Sequence, residues 1–160
     1  MPTSNPIQKT QGQRYVVEMG DGATPEVFNR VLLLNTSVSL ANTFNLEEAE
    51  LADLGDFDAP YFIDREIRSQ DLTLEGSGNV DKRYVAEIMD LFYGANAGKP
   101  RNFKIIQDTT ASNGVDTGWT LTAPFIIDNF SIDATYKSMS TCQISLKKAG
   151  FPTFVKTVTP

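Results

Sequence analysis

The side chains that could do chemistry in this chain are few, and the most informative one is missing: there is no histidine. Neither a Ser-His nor a Cys-His nucleophile pair can be built, nor a histidine metal site, so most hydrolase mechanisms are excluded. Carboxylates are plentiful, and Glu47-Glu48 or Asp56 with Asp58 stand close enough for acid–base work or a calcium ion. The stretch that holds them lacks the alternating Asp/Asn-Gly plan of a calcium loop and reads as a solvated acidic segment. Gly20-Asp21-Gly22 and Gly76-Ser77-Gly78 resemble fragments of phosphate-binding loops, but neither has the spacing or the Lys-Ser/Thr that would follow. A turn at the first and a bulge or close-packed strand at the second fit better. Cys142 falls on the inward parity of a strand and is expected in the core. The expectation is a protein without catalysis, metal or cofactor.

The chain has 160 residues, 41% hydrophobic and 21% charged, which suits one domain with an adequate core. Its net charge of −6 and pI near 4.6 argue against tight binding to nucleic acid or an anionic membrane. One cysteine allows no intrachain disulfide, and the first residues lack a basic segment followed by an apolar run. Neither export nor membrane insertion is therefore expected, and assembly in a cytoplasm is.

Elements must position whatever function remains. Residues 1–12 are polar, with Pro2, Pro6 and Gly12, and are expected as an arm; 13–150 form the domain; 151–160 are expected as a short tail. Arg14 to Met19 and Glu26 to Phe28 around Gly20-Asp21-Gly22 predict a hairpin. Val38, Leu40, Phe44 and Leu46 alternate with Ser37, Ser39, Thr43 and Asn45, a long strand with a polar face. Leu72, Leu74 and Val80 alternate with Asp71, Thr73, Glu75, Ser77 and Asn79 in a second strand of the same kind. One helix is predicted at about 81–93, capped by Asp81, with Val85, Ile88, Met89 and Phe92 on one stripe and Gly94 as a left-handed C-cap. Further strands are predicted at 102–107, 119–127, 130–134 and 142–147. The fold class is mainly β (α+β), an antiparallel sandwich or barrel with one flanking helix.

Between the two polar-faced strands the periodicity stops. Residues 47–64 hold seven carboxylates and no base, yet also Phe57, Tyr61 and Phe62. Connections this long in a compact domain are commonly functional. The segment predicts either a surface loop with its own small apolar cluster or a loop that docks on another subunit, with Glu47, Glu48, Glu50, Asp53, Asp56, Phe57, Asp58, Tyr61 and Phe62 as its contacts and with the matching cations supplied by that neighbour.

The order of Ser37-Val38-Ser39-Leu40, Leu72 to Gly78, the helix ending Leu91-Phe92-Tyr93-Gly94, Phe103-Lys104-Ile105, Phe125-Ile126-Ile127 and Ser145-Leu146-Lys147-Lys148-Ala149-Gly150 resembles the major tail tube proteins of long-tailed bacteriophages. The likeness covers about residues 12–150. It implies hexameric rings that stack into a tube for the genome, assembled in the bacterial cytoplasm and carried in the virion tail. Tape-measure, tail-terminator and distal-tail proteins are the further partners it implies, and DNA passes without specific binding. On this reading Ser37, Ser39, Thr43, Asn45, Asp71, Thr73, Glu75, Ser77 and Asn79 line the lumen, Asp71 and Glu75 being the only ionised members, and the 47–64 loop stacks one ring on the next. A monomeric β-sandwich binding module, an adhesin or carbohydrate binder, is the alternative, as is the tube of a contractile tail or type VI secretion system.

Overall fold

Among the described residues, runs of β-branched and aromatic residues set off by turn residues give eight strands and one helix, in the order β1 (Tyr15–Gly20), β2 (Phe28–Arg30), β3 (Ser37–Leu51), β4 (Phe62–Asn79), α1 (Lys82–Tyr93), β5 (Arg101–Gln107), β6 (Asp116–Asp133), β7 (Thr141–Lys148) and β8 (Thr153–Thr159). The structure, a computed structural model, describes residues 15–31, 34, 36–51, 62–80, 82–107, 116–134 and 138–159. Every pairing between these strands is antiparallel.

Strand β6 joins two sheets. Its first half carries β5 on one edge and β8 on the other, giving a first sheet in the order β2-β1-β5-β6-β8. Its second half pairs with β7, which continues to β4 and β3 as a second sheet. The ladder slips between Ile127 and Asn129, so Asp128 is the extra residue of a bulge, where a long strand can bend from one sheet to the other. The sequence predicts two strands interrupted around Asp128-Asn129; the bulge instead lets one strand run through.

Both sheets fill one core. Val17 and Met19 of β1, Phe103 and Ile105 of β5, and Leu121, Ala123 and Phe125 of β6 meet Leu72 and Leu74 of β4 and Cys142, Ile144 and Leu146 of β7. Phe103 and Phe125 stack edge to face, their ring centroids 5.9 Å apart. Burial pushes the Cys142 thiol up, as expected of a core residue and not of a nucleophile. A side chain at Gly76 would run into Leu34 and the Ser37 carbonyl, so that glycine marks a close-packed strand.

Helix α1 covers this core through Ile88 and Leu91, while Met89 is exposed and Val85 and Phe92 are only partly covered. The predicted stripe is thus turned by one residue, because Leu91, three residues past Ile88, shares its face. Gly94 is not left-handed; the chain makes a further turn and the positive φ falls at Gly98, whose N–H reaches the Leu91 carbonyl. Asp81 lies outside the described residues.

The β1–β2 turn is held by one side chain. Asp21 accepts bonds from the Ala23 and Val27 amides at 2.9 and 3.1 Å, and Gly22 takes a positive φ that only glycine adopts cheaply. Those two amide bonds hold the Asp21 carboxyl below its usual range. The folded pKa is depressed, so the turn's contribution is present above the unfolded value and fades as pH falls through the folded one.

Candidate assembly surface

The two polar-faced strands form one long hairpin. Its register pairs Ser37 with Ser77, Ser39 with Glu75, Ala41 with Thr73, Thr43 with Asp71 and Asn45 with Ser69, so eight of the nine predicted residues share one face of the β3–β4 ladder. Asn79, the ninth, has the same parity on β4 and pairs with Thr141 of β7. Cross-strand bonds tie this face together, with the Ser37 and Ser77 hydroxyls 2.7 Å apart and Asn45 Nδ2 donating to Ser69 Oγ at 2.9 Å.

The same face continues onto β7 and β6, which the sequence does not reveal. Thr73 lies opposite Lys147, Glu75 opposite Ser145 and Ser77 opposite Gln143, while Ser145 and Gln143 lie opposite Asn129 and Ser131. A shallow depression on it is lined by Ser37, Ser39, Glu75, Ser77, Asn129, Gln143 and Ser145, side chains from all four strands. Asp71 and Glu75 are not the only ionised groups here. Lys147 joins them and is paired with Asp128 at 3.1 Å, and Asp133, opposite Thr141, has the same parity. With Lys147 offset by Asp128, the face remains acidic.

Both lateral edges of this four-stranded sheet are open. Among the described residues no strand pairs with the outer edge of β3, or with β6 beyond Phe125 on the side away from β7. Long unpaired edges invite another chain.

The hairpin also outruns the body. β7 ends opposite Thr73, and beyond it β3 and β4 continue as a two-stranded arm to the pair Leu51 and Phe62. At ~3.3 Å per residue the arm reaches about 25 Å past Thr43. Glu47, Glu48 and Glu50 are strand residues in it, not loop residues, so the predicted 47–64 loop shrinks to its tip. Period-2 hydrophobicity fails there because neither face of the arm is covered by its own chain. Asp53, Asp56, Phe57, Asp58 and Tyr61 lie outside the described residues, and Phe62 is described only as backbone paired with Leu51. The expected cations are also partly local: Arg65 of β4 binds Glu48 at 2.7 Å, and Arg68, at a bulge, lies 3.8 Å from Glu47.

One face of the arm carries an apolar strip, shared with the Glu48–Arg65 pair and Glu50. Phe44, Leu46, Ile63 and Ile67 are 49%, 53%, 53% and 62% exposed. Register puts Leu46 opposite Ile67 on the parity of the core residues Leu40 and Leu74, so the strip extends the core's own face into solvent. Exposed apolar strips of this kind mark contact surfaces.

No protein-family profile matches the chain, and no curated protein does. Solved structures do. The tail of an empty gene transfer agent particle, refined with C6 symmetry, superposes over 92% of this chain and 99% of its own with a TM-score of 0.61 at 13% identity. The SPP1 tail tube matches over 94% of this chain and 80% of its own, with a TM-score of 0.58 at 15% identity. A chain of the six-fold symmetrised anti-feeding prophage baseplate covers 95% of this chain and 97% of its own, with a TM-score of 0.55 at 14% identity. The chain thus has a tail-tube-like fold.

Proposed function

We propose that this chain is the structural subunit of a tail tube, closing into rings of six whose second sheets join edge to edge into one barrel. The observation that carries it is the four-stranded sheet with two open edges and one continuous polar face. Pairing β3 of one copy with the second half of β6 of the next uses up both edges, which is how barrels remove them. Four strands from each of six copies make 24. At ~4.8 Å between strands and a tilt of about 40°, the barrel is roughly 45–50 Å across at the backbone, wide enough for a nucleic-acid duplex.

The polar face then lines the lumen, with Ser37, Ser39, Thr43, Asn45, Asp71, Thr73, Glu75, Ser77 and Asn79 joined by Asn129, Ser131, Gln143 and Ser145. A duplex carries one negative charge per ~1.7 Å, so a basic wall would hold it by releasing counterions. Hydroxyls, amides and carboxylates offer few such contacts, and DNA slides. The arm, with its strip of Phe44, Leu46, Ile63 and Ile67, stacks one ring on the next. A monomeric binding module would leave two open edges and that strip in water, which favours the assembled reading.

Replacing Asp71 and Glu75 by lysine changes each copy by four charge units and a six-membered ring by about 24, in a channel where screening over ~8 Å leaves the field near the wall intact. Such tubes are expected to assemble, and particles built from them to eject DNA at least several-fold more slowly. Ejection at the unmodified rate would remove the acidic-lumen mechanism.

A further inference from the structure

Asn42 breaks the pattern of its strand. Val38, Leu40, Phe44 and Leu46 on either side of it are apolar, and all five residues share the side of the second sheet that carries the core. Asn42 is exposed there, because no described strand lies beyond β3. Gln70 Nε2 donates to Asn42 Oδ1 at 3.0 Å, and Lys148 Nζ donates in turn to Gln70 Oε1 at 3.4 Å. Among the described residues nothing accepts from Asn42 Nδ2, so that group is left to water.

The other open edge carries apolar side chains on the same side. Phe130 and Ile132 of β6 stand opposite the buried Ile144 and Cys142 of β7, so they too have core parity. Neither is fully covered by its own chain. Phe130 packs partly against the core, and Ile132 is 36% exposed.

We infer that Asn42 of one copy seats between Phe130 and Ile132 of the next and acts as a brake on ring closure. The inference rests on the ring proposed above. Strand direction alternates across β3, β4, β7 and β6, so β6 meets the next β3 antiparallel. Ser39, Glu75, Ser145 and Asn129 stand opposite one another in one unbroken row. In a 24-stranded barrel tilted by about 35–45°, such a row returns to its first strand shifted by roughly 24–35 residues, or about four to six per copy. The shift per copy is even, since an odd one would swap the polar and apolar faces at every junction. A shift toward the start of β3 would carry Asn129 past Ser37 and leave residues 129–133 unpaired. Asn129 therefore faces Thr43 or Asn45 of the next copy. In the first register Phe130 lies opposite Asn42 and Ile132 diagonal to it; in the second the two exchange places. Both enclose the Asn42 amide between apolar side chains and take its free N–H out of water. A polar group on the buried face of an edge strand resists pairing, and here it does so at every junction of the ring.

Two kinds of variant of the full chain test this. Asn42→Val is expected to melt within a few degrees of the unmodified chain, since the side chain is exposed in a single copy, and to lower the concentration needed for ring formation about tenfold or more. The seat is read separately, by joining Ser131→Cys to Ala41→Cys for the first register or to Thr43→Cys for the second. All three positions are exposed, and Cys142 is buried. In assembled rings, a thiol-bridging reagent that spans ~5 Å is expected to turn one of these double variants into a ladder of linked species ending at six copies. The single variants are expected to give none. Rings that yield no ladder from either pair would overturn the seat and leave the ring itself standing. A ladder together with an unchanged or raised threshold for Asn42→Val would overturn the brake. An unmodified chain that never forms rings would overturn the reading on which both rest.

Discussion

Proline at one of the two successive positions Ala41 and Asn42 will leave a folded monomer that makes no rings. In an antiparallel pair, residues alternate between those whose N–H and C=O face the partner strand and those whose groups face away. Ala41 and Asn42 stand opposite Thr73 and Leu72 with no bulge between them, so one of the two directs its N–H to β4 and the other to the open edge. The outward-facing position can lose its donor without touching the β4 ladder, and edge strands tolerate proline. Its melting temperature should stay within a few degrees of the parent, while light scattering shows a monomer at every concentration, because all six junctions of a ring lose the same bond. The inward-facing position should instead lose about 3 kcal/mol of stability. If both variants assemble like the parent, β3 is not the closing edge.

Replacing residues 45–69 by a hairpin loop of about four residues will separate ring formation from tube growth. No described side chain of β3 or β4 in that span is buried, whereas Leu72 and Leu74, just inside it, are core residues. The body should therefore fold, with an unchanged circular dichroism spectrum and a melting temperature near the parent's. Rings should form, since Ser37 to Thr43 and Asp71 to Asn79 keep their register. Tubes should not, because Leu46, Ile63 and Ile67, three of the four apolar residues proposed to bridge ring to ring, are gone. Normal tube growth after this replacement would reject the stacking role.

How far the sequence leads depends on what a side chain's period can report. Leu72, Leu74, Cys142, Ile144 and Leu146 alternate cleanly because each has a wet face and a buried face, and the core they predict is the one found. The arm is different. Glu47 to Leu51 pair in register with Phe62 to Glu66, but both faces meet water in the single chain, so the strand carries no alternation and reads as a loop. Thr153 to Thr159 likewise form a strand, β8, against Asp116 to Thr122, where the sequence predicts only a short tail at 151–160; Pro152 and the short length hide it, and only its partner supplies the ladder. The contribution of Gln143 and Ser145 to the polar face is legible as outward parity but not as common surface, and that of Asn129, at the predicted interruption, is not legible at all. Common surface depends on strand order, which long-range pairing sets and local pattern does not. The helix register slipped for a simpler reason: Leu91 and Met89 are both apolar, and the choice between them is made by the hairpin and sheets that α1 packs against.

Imaging the purified, unmodified chain under conditions that promote assembly, by negative stain and then by helical or single-particle averaging, bears most directly on the proposal that the second sheets close into a barrel. Rings with six-fold symmetry, stacked into hollow tubes, with β3 of each copy running antiparallel beside β6 of the next, are the expected result. Dispersed monomers at all concentrations, or rings in which β3 and the second half of β6 both remain unpaired, would contradict it.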